Sequence, residues 1–118
     1  MLKDSFFKIK QVEEKENTVH FTVSIYSGHE IFKGHFPQQP IVPGVFALQM
    51  IKECLEYIHN KKYHYSELVN CKFSNPIFPE QDRDILIECE LAGSLQLKTT
   101  IKSKDTVYLT LKAKLNEI

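Results

Sequence analysis

The chain has 118 residues, the size of one ordinary domain, long enough to bury a core but not to build two independent ones. Fifteen basic and fifteen acidic side chains cancel, so no global field draws in nucleic acid and a charged partner would have to be met by a local patch. Three cysteines without metal-ligand spacing (Cys54, Cys71, Cys89), no leader-like apolar segment and no run of about eighteen apolar residues give the expectation of a reduced, cytoplasmic chain that does not enter a membrane.

In chain order, Phe6 to Val12 is a loosely patterned strand candidate. From Thr18 to Tyr26 the alternation is strict: Val19, Phe21, Val23 and Ile25 point one way, and Thr18, His20, Thr22 and Ser24 the other, as in a strand with one buried face. The segment from Phe32 to Val45 holds three of the five prolines and two of the four glycines, so it reads as a stiff loop delivered into a helix. The helix is expected from about Val45 to Asn60, with Pro43 in its first turn.

Val45, Phe46, Leu48, Met50, Ile51, Cys54, Leu55 and Ile58 cover most of its circumference and imply nearly complete burial. Gln49, Lys52, Glu53, Glu56 and Asn60 form the remaining polar stripe. Tyr63 to Phe73 is a further strand candidate. A three-strand meander then follows, carried by Ile85, Ile87, Cys89 and Leu91, by Leu95, Leu97 and Ile101, and by Val107, Leu109, Leu111, Ala113 and Leu115. Gly93-Ser94 and Ser103-Lys104-Asp105 are its turns. The simplest architecture that buries so apolar a helix is α+β, one domain over residues 1–118, with a curved antiparallel sheet wrapped around one long central helix.

The densest cluster of unusual residues is Phe32-Lys33-Gly34-His35-Phe36-Pro37-Gln38-Gln39-Pro40-Ile41-Val42-Pro43-Gly44-Val45. Stiff loops ahead of helix starts are frequent binding sites. A lone loop histidine is usually a surface residue, but the flanking Gly34, Phe36 and Pro37 mark His35 as functional. His29 lies near it in sequence, yet no further ligand stands at metal spacing, so no metal is expected.

Gly34-His35-Phe36-Pro37 followed by Pro40-Ile41-x-Pro43-Gly44-Val45 resembles the signature of the bacterial (3R)-hydroxyacyl-acyl carrier protein dehydratases. Cys71-Lys72-Phe73-Ser74-Asn75-Pro76-Ile77-Phe78-Pro79 resembles a later stretch of the same family, and the strand order agrees over nearly the whole chain. The resemblance implies a hotdog fold and a homodimer or higher homo-oligomer with acyl-thioester sites between subunits. It also implies no cofactor beyond the phosphopantetheine arm of an acyl carrier protein, which carries the substrate.

By resemblance His35 is the catalytic base. The acidic position on the facing subunit's helix falls on Gln49. Gly44 N–H is the donor to the thioester carbonyl, and Phe36, Pro43 and Val45 join it as substrate-binding candidates. Lys72 matches a basic position that would meet the acidic carrier protein or its phosphate, with Arg83, the only arginine, as a second candidate. For both, the alternative is a solvated surface charge. Phe32, Phe36, Phe46 and Phe78 are candidates for an acyl tunnel or simply for the core.

Elimination of water from a 3-hydroxyacyl thioester needs a base at the α-carbon, a proton for the departing hydroxyl, and donors at the carbonyl oxygen. A histidine side chain accepts a proton readily near neutral pH, which makes His35 the candidate for the first role. The Gln49 amide donates hydrogen bonds but does not cycle a proton. Four readings stay open at that position. Glu53, about 5 Å further along the helix, supplies the carboxyl group; Gln49 orients the hydroxyl or a water; a homologous hotdog partner supplies the acid in a heterodimer; or the glutamine was introduced by design. The leading expectation is thus a 3-hydroxyacyl thioester dehydratase of fatty-acid or related polyene or polyketide synthesis. A catalytically impaired acyl-binding subunit is the main rival, and a hotdog thioesterase a weaker one.

Overall fold

The computed structural model describes residues 1–82 and 84–118. Strands β1 (Phe7–Glu14) and β2 (Thr18–Ile25) form a hairpin. The one-turn helix α1 (Ile31–Gly34) and the long helix α2 (Gly44–His59) follow, then β3 (Tyr63–Phe73), β4 (Asp84–Ala92), β5 (Gln96–Lys102) and β6 (Val107–Glu117). All six strands join one antiparallel sheet in the order β1-β2-β4-β5-β6-β3, so β3, which follows the helix, closes the edge beyond β6.

The alternating residues of β2, β4, β5 and β6 form one core with α2. Phe21, Val23, Ile85, Ile87, Leu97, Ile101, Leu109 and Leu111 are buried together with Ala47, Met50, Ile51, Cys54 and Leu55. A second tie between helix and sheet is polar: the Tyr65 hydroxyl of β3 donates to the Leu48 carbonyl of α2 at 2.6 Å. Residues with a clean two-residue period thus fall on the inner face as expected. The looser candidates are bulged. Register slips at Lys10 in β1, and at Ser66 and Val69 in β3, so Ile9 and Val12 reach the same side despite their odd spacing.

Several expectations are corrected. The stiff segment is not loop throughout, because the helical turn Ile31–Gly34 takes in its first residues, Phe32 to Gly34. Helix α2 begins at Gly44, and Pro43 is its N-cap rather than a first-turn residue. Burial of α2 is one-sided: Val45 is 70% and Tyr57 55% exposed. Glu53 leaves the polar stripe altogether and is 1% exposed.

At the β4–β5 connection three residues, Gly93–Leu95, intervene instead of two, and the left-handed positions are Ser94 and Leu95, so Leu95 belongs to the turn. Val107, expected inside, opens β6 beside a bulge and is exposed. Its neighbour Tyr108 is buried instead, with its carbonyl accepting the Ser74 N–H at 2.9 Å and its hydroxyl donating to Ser103 Oγ at 2.9 Å. No helix among the described residues is long and apolar enough to cross a membrane.

Candidate active site

Helix α1 ends at Gly34 and places His35 at its C-cap. The chain then turns back on itself through a cis His35–Phe36 peptide, with Gln39 N–H donating to the Phe36 carbonyl at 3.1 Å and Ile41 N–H to the His35 carbonyl at 3.3 Å. His35 Nδ1 faces the Ile41 carbonyl at 3.4 Å, a long contact that suits a proton on Nδ1 and leaves Nε2 as the basic nitrogen. The Phe36 ring stacks on the imidazole at 4.5 Å between centroids.

Val42 N–H donates to the Ile77 carbonyl at 3.0 Å, which joins the histidine loop to the second proline-containing segment. The two segments that carry the sequence signature are therefore neighbours in space. Between them lies a cavity of about 340 Å³. His35, Pro43 and Gly44 line one side, Phe73, Asn75 and Ile77 the other, and Tyr108 and Leu109 of β6 contribute as well.

The Pro43 carbonyl accepts the Phe46 and Ala47 N–H groups, so the N–H groups of Gly44 and Val45 are the two left over at the start of α2. They stand at the positive end of the helix dipole, where developing negative charge is favoured. A side chain at Gly44 would press on the Phe73 ring: a Cβ there would lie 2.9 Å from its Cζ.

Not every candidate joins this cavity. Phe36 is 53% exposed and covers His35 from outside, while Val45 projects into solvent. Lys72 is an exposed β3 residue opposite Thr110, and Arg83 lies outside the described residues. Phe32 is core, and Phe46 packs edge-on against Phe6 at 4.8 Å. Phe78 is half-buried and outside the cavity lining. His29 accepts the Ile31 N–H on Nδ1 and meets Phe6 edge-on, a structural role. No group of metal-ligating side chains occurs among the described residues.

Gln49 does not line the His35 cavity of its own chain. Its Nε2 donates to Glu53 Oε2 at 2.7 Å. Glu53 in turn accepts the backbone N–H groups of Leu2, at 2.8 and 3.0 Å, and of Lys3, at 2.8 Å. Both of its oxygens are thus engaged, which argues against the reading that makes it a free acid. The role of Glu53 as a clamp on the first residues of the chain had no signal in the sequence, since its i,i+4 spacing to Gln49 suits a solvated helix face equally well. Phe73 and Tyr108 were likewise missed as cavity residues; the first had a signal in its place within the second signature segment.

The cysteines stand apart from this chemistry. Burial pushes the Cys89 thiol up to about 12 and raises those of Cys54 and Cys71, so all three are protonated at neutral pH. Burial likewise raises the Tyr65 phenol, the donor to Leu48.

A curved antiparallel sheet around one long helix, with a histidine loop feeding that helix's first turn, defines the chain as a hotdog-fold protein. Residues 11–112 match the family model of ApeI-like proteins, described as ApeI dehydratase, and the chain belongs to that family. Among curated relatives, the 3-hydroxyacyl-[acyl-carrier-protein] dehydratase FabZ of Fusobacterium nucleatum is 29% identical over 77 residues, 61% of this chain and 55% of that protein. FabZ of Geobacter metallireducens is 31% identical over 97 residues, 70% of this chain and 63% of that protein. The chain spans about half the length of the first of these relatives. Among solved structures, the dehydratase heterocomplex ApeI:P of Xenorhabdus doucetiae contains a chain that superposes with a TM-score of 0.77 at 20% identity, covering 91% of this chain and 95% of that one, a likeness of fold.

Proposed function

We propose that this chain is a subunit of a dehydratase that converts 3-hydroxyacyl thioesters to trans-2-enoyl thioesters, with the acyl group carried on the phosphopantetheine arm of an acyl carrier protein. The observation that carries the reading is the position of His35 at a cavity beside the unpaired N–H groups of the first turn of α2. His35 Nε2 takes the α-proton, and Gly44 N–H meets the thioester oxygen as it gains negative charge. The C3–O bond then breaks, the proton held on His35 passes to the departing hydroxyl, and water leaves. No cofactor is required, because the thioester itself stabilises the charge left on the α-carbon.

The residue opposite His35 comes from a second hotdog chain in this reading. Two features support it: His35 and Gln49 are not brought together within one chain, and β3 is an open sheet edge with Leu68, Val69 and Phe73 exposed. A homodimer then places Gln49 there, to hold the 3-hydroxyl rather than protonate it. The inability of an amide to cycle a proton favours a second arrangement, in which an acid-bearing hotdog homologue pairs with this chain. The ApeI:P neighbour, itself described as a dehydratase heterocomplex, gives a precedent for such pairing.

Purified protein given a 3-hydroxyacyl carrier-protein thioester should form enoyl product, and His35→Ala should slow it about a hundredfold to ten-thousandfold. Equal zero rates for both proteins would overturn the homomeric enzyme. Activity that appears only in a co-purified complex would assign the acid to the partner, and release of free acid instead of enoyl product would identify a thioesterase.

A further inference from the structure

We infer that Glu53 sets the hydrogen-bonding polarity of Gln49, making it an acceptor at the site: a positioning residue whose effect is to select ligands that bear a hydroxyl at C3. The inference rests on the proposed placement of Gln49 opposite His35 of a facing subunit. A glutamine amide has a donating end and an accepting end that are nearly equal in shape, and its orientation is decided by what it meets. Here the meeting is one-sided. Glu53 Oε2, an acceptor, lies 2.7 Å from Nε2, which turns the nitrogen inward and leaves Oε1 as the outward end.

Glu53 is well placed to enforce this. It is 1% exposed, and its two oxygens also hold the Leu2 and Lys3 backbone N–H groups, so it has neither the room nor the freedom to turn away from Gln49. Gln49 is only half-buried, so its outward oxygen is available to a ligand. An outward carbonyl oxygen accepts from the 3-hydroxyl of a substrate. It gains nothing from a 3-oxo group, which has no proton to give and whose oxygen it would face lone pair to lone pair.

Glu53→Gln tests the polarity with a change of almost no volume. The amide introduced at position 53 keeps its carbonyl at the Oε1 position for Lys3 and for the 3.0 Å contact of Leu2, gives up the Leu2 contact to Oε2, and turns its nitrogen toward Gln49. Gln49 must then invert, presenting Nε2 outward. Binding is measured in the His35→Ala background, where elimination does not consume the ligand, with 3-hydroxybutyryl-pantetheine and 3-oxobutyryl-pantetheine as probes. The parent should favour the hydroxy ligand, and Glu53→Gln should shift the ratio of affinities about tenfold toward the oxo ligand, the scale of one gained or lost hydrogen bond. Equal weakening of both ligands would assign Glu53 a purely structural role and overturn the inference.

Gln49→Ala separates the inference from the reading beneath it. Loss of the hydroxy preference in that variant, with no change of ratio in Glu53→Gln, defeats the polarity argument alone. Unchanged affinities for both ligands in Gln49→Ala remove Gln49 from the site and defeat the placement itself. Should Glu53→Gln fail to fold, the unsubstituted protein decides the matter. A through-hydrogen-bond NMR coupling between Gln49 Nε2–H and the Glu53 carboxylate carbon is expected, and its absence in a protein whose Leu2 and Lys3 amides are bonded to Glu53 overturns the inference.

Discussion

Gly44 opens α2 with the Phe73 ring lying over it, so a methyl group there would have to push the ring aside. The contact is with the far end of a side chain that is 55% exposed, at 2.9 Å to Cζ and 3.1 Å to Cε1, and the ring has room to swing. Alanine also favours a helix by about 1 kcal/mol over glycine. Gly44→Ala should therefore fold with nearly unchanged thermal stability while displacing the Phe73 ring that lines the His35 cavity. The expected cost is about a hundredfold in turnover of a carrier-protein thioester, the scale of a small misplacement at a reacting centre. Thermal melts and steady-state rates on one preparation check both halves, and unchanged rates would remove Phe73 from the site. The same residue scale shows where sequence reasoning stops. His35 was legible because a long motif surrounds it, whereas Glu53 was not: the partners that bury it, Leu2 and Lys3, lie some fifty positions away, and nothing local announces them.

At the scale of elements, β2, β4, β5 and β6 were legible because their two-residue period is unbroken over most of their length. β1 and β3 were blurred by bulges, each of which shifts the period by one residue. Helix α2 shows a different kind of miss. Apolar residues around most of its circumference imply nearly complete burial, yet Val45 is on the outside, as are Leu68 and Val69 of the edge strand. Leu68 and Val69 lie on the open β3 edge, the surface at which a second chain is proposed to meet this one. Edge strands are commonly protected by lysine, whose charge opposes strand addition. Val69→Lys should accordingly weaken self-association at least tenfold, read by sedimentation velocity across a concentration series. An unchanged distribution would assign association to some surface other than β3.

For the whole molecule, buried acids set the alkaline limit of stability. The thiols of Cys54 and Cys89 and the phenols of Tyr63, Tyr65 and Tyr108 are all raised by burial, the Cys89 thiol from 9.0 to about 12. An unfolded chain loses these protons near their ordinary values, whereas the folded chain retains them. This stabilisation is therefore complete below about pH 8 and is lost as pH rises through the ordinary values toward the folded ones. Melting temperature under reducing conditions should fall by several degrees between about pH 8 and pH 11, and Cys89→Ala should flatten the decline. A parent curve that stays flat would show that the unfolded chain keeps these groups as sheltered as the native one. The tie from Leu2 and Lys3 to Glu53 acts at this scale too. Chain ends usually fray on the fastest timescale a protein has, opening and closing without consequence for the interior. Here the first few residues share one carboxylate with the middle of the central helix, so each opening strips a buried acid of its backbone donors, a cost that the fraying of an untied segment does not carry.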